Sequence, residues 1–506
     1  MLRTGQQYLD DLKARGGEFY IGGERVKDVL THPAFARTAQ SIAEIYDTTS
    51  DPARVDDLTY IEEETGERCN PIFMRPRTPE DILARNRVHE AWAKCTWGWI
   101  GRAPDHVAGW ITGMACSPEL FDQYDQGFSE NILNYWRHCR DNDLYLAYAI
   151  LPPASAKAAS SVSTTKEVAA PESKWGAHNG LRVVKEDDKG VTVWGFKLLA
   201  TAAVFADEIF IGNYQPLAVG QEALAITCAL PINTPGMKFL CRRPYAGAAD
   251  NGDIDYPFSE RFDEGDAVLY CDNVFVPWER VFVHDHTDTL RAVFNDTPAA
   301  VLGNAQAHIR LLEKMRLMLG IVKKVLEMNA VINLPPVRDT LGMLATRVAM
   351  TESLLQASAA ELEEWPNGFV APDRQGFYAT MAYTLEYFPE FAQVLRELLG
   401  SHPFQQPSDL SIFENPETSD IYSKFAMAEP EDAFEKYKLM KLAWDLIGTE
   451  FASRHTSYEM FYNGAKHVAR MRAHHYFRWD VVDDAAQAAL DSIGGYEKYV
   501  KVRAEE

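Results

Sequence analysis

Leu144-Tyr145-Leu146-Ala147-Tyr148-Ala149-Ile150-Leu151 is a continuous apolar run that Pro152-Pro153 terminates, and it reads as a buried strand. The character of the chain changes there. Before it the pattern is helical. Leu9 and Leu12 stand at helical spacing between Gln7 and Ala14, and further helices are expected near 79–98, 117–125 and 128–141. Thr78 and Ser117 are candidate caps. The stretch Phe19 to Val26 reads as a short hairpin around Gly22-Gly23.

After the run, residues 154–175 carry no periodicity and are rich in Ala, Ser, Thr and Lys, the pattern of a mobile lid. Strand signals then dominate from 181 to 283. Leu181-Arg182-Val183-Val184 and Val191-Thr192-Val193-Trp194 flank the turn residues Asp187-Asp188-Lys189-Gly190. Further runs at 208–214, 224–230, 237–242 and 267–276 predict an antiparallel barrel or sandwich. From about 286 the 3.6-residue period returns. Leu311, Met315, Met318, Val322 and Val325 form one stripe, and Leu341, Leu344, Val348, Leu355 and Leu362 a second. Phe434, Tyr437, Met440, Trp444 and Ile447 form a third. Wide apolar faces of this kind predict a bundle that buries one face against another subunit. The class is α+β, with a helical domain over 1–147, a β domain over 148–284 and a helical bundle with a tail over 285–506.

The 506 residues carry 50 Lys and Arg against 73 Asp and Glu, a net charge of −23. That balance argues against a nucleic-acid or anionic-membrane surface, both of which require clustered cations. Seven scattered cysteines without C-x-x-C spacing fit reduced thiols and predict neither disulfides nor a metal site. With no apolar leader or spanning segment, the expectation is a soluble, cytoplasmic protein.

One cluster concentrates chemistry. In Trp97-Gly98-Trp99-Ile100-Gly101-Arg102-Ala103-Pro104-Asp105-His106, two glycines permit close backbone approach and Pro104 prevents a helix from running through. A five-donor guanidinium is thereby offered beside flat indoles, an environment suited to a planar aromatic anion. The phosphate loop, H-E-x-x-H, G-x-S-x-G and an early G-x-G-x-x-G are all missing. Two further candidate segments are Gly195 to Thr201 and Thr449 to His455. Thr201 offers a hydroxyl at a strand end. Arg454 could grip a phosphate bidentately or pair with Glu450 one helical turn away.

Over nearly its whole length the chain resembles the oxygenase components of the 4-hydroxyphenylacetate 3-monooxygenase family, two-component flavin-dependent phenol hydroxylases. The segments that carry the likeness include Gly23-Glu24-Arg25-Val26-Lys27-Asp28-Val29, Thr31-His32-Pro33-Ala34-Phe35 and Gly98 to Asp105. Later ones are Asp255-Tyr256-Pro257, Arg261-Phe262-Asp263-Glu264, Asp272-Asn273-Val274, Pro277-Trp278-Glu279, Gly448-Thr449-Glu450-Phe451 and Ser453-Arg454-His455. The resemblance implies an acyl-CoA-dehydrogenase-like fold, with a central antiparallel β-barrel and a C-terminal four-helix bundle that assembles a homotetramer. It implies FAD delivered as FADH2 by a separate NAD(P)H-dependent reductase, O2 as co-substrate, and hydroxylation of a small phenol through a C4a-hydroperoxyflavin.

Carried over residue by residue, the resemblance makes Arg102, His106 and Tyr148 catalytic. It adds Asn213, Tyr214 and Gln306 to the residues binding substrate. Tyr148, Ala149, Ile150, Pro153, Ser155, Thr201, Arg454, Tyr462, Asn463 and Gly464 would hold the flavin. The family's phenol-binding trio is Arg, then Tyr four residues on, then His. Here His106 and Tyr148 exchange the two partner types. Gln306 stands where the dehalogenating branch has a catalytic His, which tilts the substrate away from halophenols. The Asp-Arg pair that follows the Pro-Pro of the flavin loop is replaced by Ala154-Ser155-Ala156-Lys157. The iron–sulfur dehydratase branch is excluded, because Trp99 stands four residues after Cys95 and no suitable His-Cys pair follows in the β-to-helix region. Two alternatives are an acyl-CoA-dehydrogenase-type oxidoreductase and a non-catalytic flavin-binding member.

Overall fold

The computed structural model describes residues 2–125, 127–153, 179–214, 217, 220–246, 252–462 and 464–493. The expected lid over 154–175 and the sites at Ser155 and Asn463 lie outside them. The N-terminal region holds α1 (Gly5–Arg15), α2 (Ala36–Ser50), α3 (Pro79–Thr96), α4 (Asp105–Ala115) and α5 (Ser129–Asn142). Thr78 opens α3 with a reciprocal cap. Its hydroxyl accepts the Asp81 N–H at 3.2 Å, and the Asp81 carboxylate accepts the Thr78 N–H at 3.0 Å. All eleven residues of α4 are buried, so this apolar helix is enclosed on every side.

Two sheets fill the middle. The larger runs β2-β1-β10-β11-β7-β6, from β1 (Phe19–Ile21), β2 (Glu24–Arg25), β6 (Arg182–Asp187), β7 (Gly190–Lys197), β10 (Met237–Cys241) and β11 (Ala267–Pro277). The smaller runs β12-β9-β8-β5, from β5 (Leu146–Ala149), β8 (Glu208–Ile211), β9 (Ile226–Pro231) and β12 (Val281–His284). A hairpin of β3 (Tyr60–Ile61) and β4 (Arg68–Cys69) stands apart. Both expected hairpins form, β1 with β2 and β6 with β7. Strand β7 alternates as a half-buried strand should, with Val191, Val193 and Lys197 inward.

The expected antiparallel barrel is corrected. Among the described residues neither sheet closes, and two pairings are parallel, β1 with β10 and β5 with β8. The reason is connectivity. Strand β5 leads away from the helical region, and the chain returns to it only after passing through the β6–β7 hairpin in the other sheet. Parallel neighbours need such a long crossover, which the apolar run alone could not reveal.

The C-terminal part is helical: α6 (Pro257–Phe262), α7 (Thr287–Asn295), α8 (Ala299–Met328), α9 (Pro335–Ala360), α10 (Arg374–Leu399), α11 (Pro416–Ala426), α12 (Pro430–Ile447), α13 (Glu450–Phe461), α14 (Lys466–Tyr476) and α15 (Trp479–Ile493). Helix α8 packs against α9, α10 and α12, and also against α3 and α4. All five residues of its expected stripe are buried. The second stripe is shorter than expected, because Leu362 belongs to β13 (Leu362–Trp365), which pairs with β14 (Phe369–Pro372). The extended backbone of Glu361 ends α9 before that position is reached. One core cluster runs from the N-terminal helices through both sheets into α8.

Candidate active site

Arg102 lies on the short segment between α3 and α4, and both sides of its peptide are anchored. Its N–H donates to Glu264 Oε2 at 2.6 Å, and its carbonyl accepts the Tyr145 hydroxyl at 2.6 Å. The side chain is buried, with 8% exposed. Its guanidinium donates to His106 Nε2 and, at 3.1 Å, to the Tyr462 carbonyl. It lies 5.0 Å from the Tyr148 ring centre and 5.2 Å from that of Tyr458. Among the described residues no carboxylate pairs with it. Its acidic neighbour, Glu264, is occupied by the Arg102 backbone and by Arg454. A buried cation without a carboxylate is costly in the empty protein and suited to an anionic ligand.

The flat walls are not the expected ones. Trp99 is buried beneath Lys314 and packs on Phe451 and His455, while Trp97 caps α3 in left-handed backbone with its ring partly exposed. Tyr148 and Tyr458 take their place beside the guanidinium. Tyr458 was not found from the sequence, although it lies one helical turn after Arg454 and one before Tyr462. The glycine spacing does have the expected consequence at Gly101. A Cβ there would lie 2.7 Å from Tyr458 Cζ and 2.9 Å from its hydroxyl oxygen. Gly101→Ala should therefore displace Tyr458 at about 1–3 kcal/mol and weaken ligand binding. Ligand titration with a thermal scan checks this.

His106 is fully buried, and burial together with the charges of Arg102 and Arg310 holds its pKa well below the ordinary range. Arg102 can only donate, so Nε2 is the bare nitrogen. Gln306 on α8 donates to the Gly101 carbonyl at 3.2 Å, and its amide lies 3.1 Å from His106 Nδ1. Between about pH 5 and 8, the pH–activity profile should carry no limb from His106. Burial and its two cationic neighbours hold the ring neutral, so it exchanges no proton there. A limb that disappears in His106→Gln would contradict this.

Tyr148 is the penultimate residue of β5, with its ring 5.3 Å from His106, and burial keeps its phenol protonated. The parallel pairing of β5 with β8 brings Asn213 and Tyr214 alongside. The Tyr214 N–H donates to the Ile150 carbonyl and the Gly212 N–H to the Ala149 carbonyl, both at 3.3 Å. An aromatic series, His106–Trp110–Phe294–Tyr214, joins the two ends at centre separations of 6.4, 5.5 and 5.4 Å. Asn213 Oδ1, Trp110 Nε1 and the hydroxyls of Tyr458 and Tyr462 are buried without a hydrogen-bond partner among the described residues. Each such orphan costs about 1–3 kcal/mol, and the two unpartnered phenols near the Arg102 guanidinium fit a site built to receive polar groups.

The residues expected to hold a cofactor divide. Tyr148, Ala149, Ile150 and Pro153 follow one another along the end of β5, and Tyr462 and Gly464 follow α13. Thr201 is buried in a turn beyond β7 rather than at a strand end, and its hydroxyl donates to Asp266 Oδ1 at 2.8 Å. Arg454 grips Asp266 through Nε at 3.1 Å and Nη2 at 2.7 Å, and also pairs with Glu264. The Glu450 alternative is not realised. Glu450 pairs instead with Arg243, at 2.9 Å.

Behind this layer, Glu459 binds Arg310 at 2.5 and 3.0 Å and Lys314 at 2.6 Å, with all three buried. Burial lowers Lys314 to about 8, and its two cationic neighbours bring Glu459 down to about 2 against its own desolvation.

Family models place the chain. The model for the N-terminal part of 4-hydroxyphenylacetate 3-hydroxylase matches residues 4–283, and that for the C-terminal part matches residues 290–491. The chain is 30% identical to the 4-hydroxyphenylacetate 3-monooxygenase oxygenase component of Geobacillus sp. (strain PA-9), over 91% of each chain. It is 31% identical to the 4-nitrophenol 2-monooxygenase oxygenase component of Rhodococcus sp, over 93% of this chain and 87% of the relative. A crystal structure of the oxygenase component of 4-hydroxyphenylacetate 3-monooxygenase complexed with FAD and 4-hydroxyphenylacetate superposes with a TM-score of 0.87. That pair is 28% identical over 99% of each chain.

Proposed function

The chain belongs to the 4-hydroxyphenylacetate 3-hydroxylase family, the oxygenase components of two-component flavin-dependent aromatic monooxygenases, and we propose that it hydroxylates a phenol or hydroxylated heteroaromatic bound as its anion at Arg102. One observation carries the reading: a buried guanidinium flanked by two phenol rings, with no carboxylate among the described residues to neutralise it.

The chemistry follows from the charges. An opposite charge in hydrogen-bond reach lowers a phenol's pKa by about one to three units, so the ring enters ionised. Ionisation enriches the carbons ortho and para to the oxygen, where an electrophilic oxygen attacks. His106 does not hold the released proton, because its bare Nε2 faces Arg102 and its basicity is depressed. The pair therefore carries one positive charge, which the phenolate neutralises. The protonated hydroxyl of Tyr148 supplies a donor on the same side.

Reduced FAD, when bound, supplies the electrons that activate O2 for insertion of one oxygen atom. Tyr148, Ala149, Ile150, Pro153, Thr201, Tyr462 and Gly464 would hold it, and the unpartnered hydroxyls of Tyr458 and Tyr462 fit a ligand with several polar edges. Enclosure by α4, α8 and both sheets keeps water from the reacting groups. We take the plan of the fold as acyl-CoA-dehydrogenase-like and the assembly as a tetramer formed through the helical domain. In support, α9 buries only Leu344 and Thr351 and leaves Met343 and Met350 exposed. An acyl-CoA-dehydrogenase activity would need a carboxylate free to take a proton. Glu264, Asp266 and Glu459 are each committed to arginines.

The test is turnover of a panel of phenols with a generic flavin reductase, NADH and O2, with products weighed by mass spectrometry. A product heavier by one oxygen atom is expected. Peroxide alone, across the panel and with the reductase active, would contradict the proposal.

A further inference from the structure

The ion cluster behind Arg102 contains a continuous path between the two ligand sites. Glu264 accepts the Arg102 backbone N–H through Oε2 and Arg454 Nη1 through Oε1. Arg454 turns its remaining edge to Asp266 as a fork, and Asp266 Oδ1 also accepts the Thr201 hydroxyl at 2.8 Å. Every lone-pair direction of Asp266 is used, since Oδ2 also takes Arg242 Nε at 2.9 Å. Arg242 in turn is held by Asp263. The two guanidiniums bring Asp266 well below the carboxylate range, against its own desolvation.

We infer that Arg454 is a positioning residue that couples the phenol site to the flavin site, fixing the Arg102 peptide through Glu264 and the Thr201 hydroxyl through Asp266. This rests on the reading of Arg102 and Thr201 given above. The geometry accounts for the arginine. Its planar fork serves two carboxylates in two directions at once, which a lysine ammonium on a flexible stem does not reproduce. It also redefines the hydroxyl of Thr201. Its hydrogen is spent on Asp266, so only its lone pairs remain, and it meets a ligand as an acceptor of an N–H rather than as a donor.

The experiment measures two equilibrium constants on the full-length protein: anaerobic binding of reduced FAD, and binding of 4-nitrophenol followed by its phenolate absorbance. Two local controls are Thr201→Val, expected to weaken reduced FAD only, and Arg102→Lys, expected to weaken 4-nitrophenol only. Arg454→Lys and Asp266→Asn are expected to weaken both ligands by about tenfold, although the two side chains are committed to one another in the structure. A merely structural role lowers the melting temperature without this paired loss. If Arg454→Lys does not fold, Asp266→Asn decides alone. Loss of one ligand only, as in the controls, or of neither, overturns the coupling. Unchanged 4-nitrophenol binding in Arg102→Lys overturns the functional reading itself, so the two failures are separable.

Discussion

Arg102→Met should abolish phenol binding and leave the ligand-free protein no less stable. Truncating one partner of a buried, hydrogen-bonded charge pair costs about 2–5 kcal/mol, which is roughly 30-fold to several thousandfold in affinity. The same guanidinium is a liability when nothing neutralises it, because its bonds to His106 Nε2 and the Tyr462 carbonyl do not replace a counter-charge. Methionine fills a similar volume and removes the charge. The melting temperature without ligand should therefore hold or rise, while the stabilisation that a phenol gives the unchanged protein disappears. A thermal scan with and without phenol reads both effects. A large fall in the ligand-free melting temperature would show that Arg102 serves the fold rather than the ligand.

The opposite is expected at Glu459. Glu459→Gln keeps the shape but leaves Arg310 and Lys314 without their shared counter-ion in a buried site. Removing one partner of such a cluster costs about 3–5 kcal/mol, the largest stability effect expected from a single side chain here. Denaturant unfolding would measure it, and a loss below about 1 kcal/mol would mean that the cluster behaves like a surface pair. The sign of the pH dependence follows from the depressed carboxylate. Its stabilisation is fully present above its ordinary pKa of 4.5 and is lost as pH falls toward about 2. Glu459→Gln should flatten that acid limb.

What the sequence disclosed and what it concealed divide along physical lines. Periodicity located α8, α9 and α12 but not α10, and turn chemistry located both hairpins, because those signals are local. The parallel pairing of β5 with β8 was invisible, since an apolar run does not record which strand lies beside it. Gly98 and Gly101 were legible as places of close approach. A Cβ on Gly98 would lie 2.1 Å from the Arg310 carbonyl oxygen, and one on Gly101 would meet Tyr458. The tryptophans misled, because an indole beside an arginine in sequence need not face it in space. Trp99 faces Lys314, and the rings at Arg102 come from β5 and α13. Arg454 was found as a residue of consequence, yet its partners were not. Glu264 and Asp266 lie about 190 positions away, and only folding unites them with it.

The central claim is electrostatic and can be tested directly. The absorbance of a chromogenic phenol, 4-nitrophenol, titrated against pH while bound to the protein, reports its ionisation at Arg102. The account predicts that the phenolate band persists about one to three pH units below the titration of the free phenol, and that Arg102→Lys returns part of this shift. A bound phenol that titrates at or above the free value would contradict it.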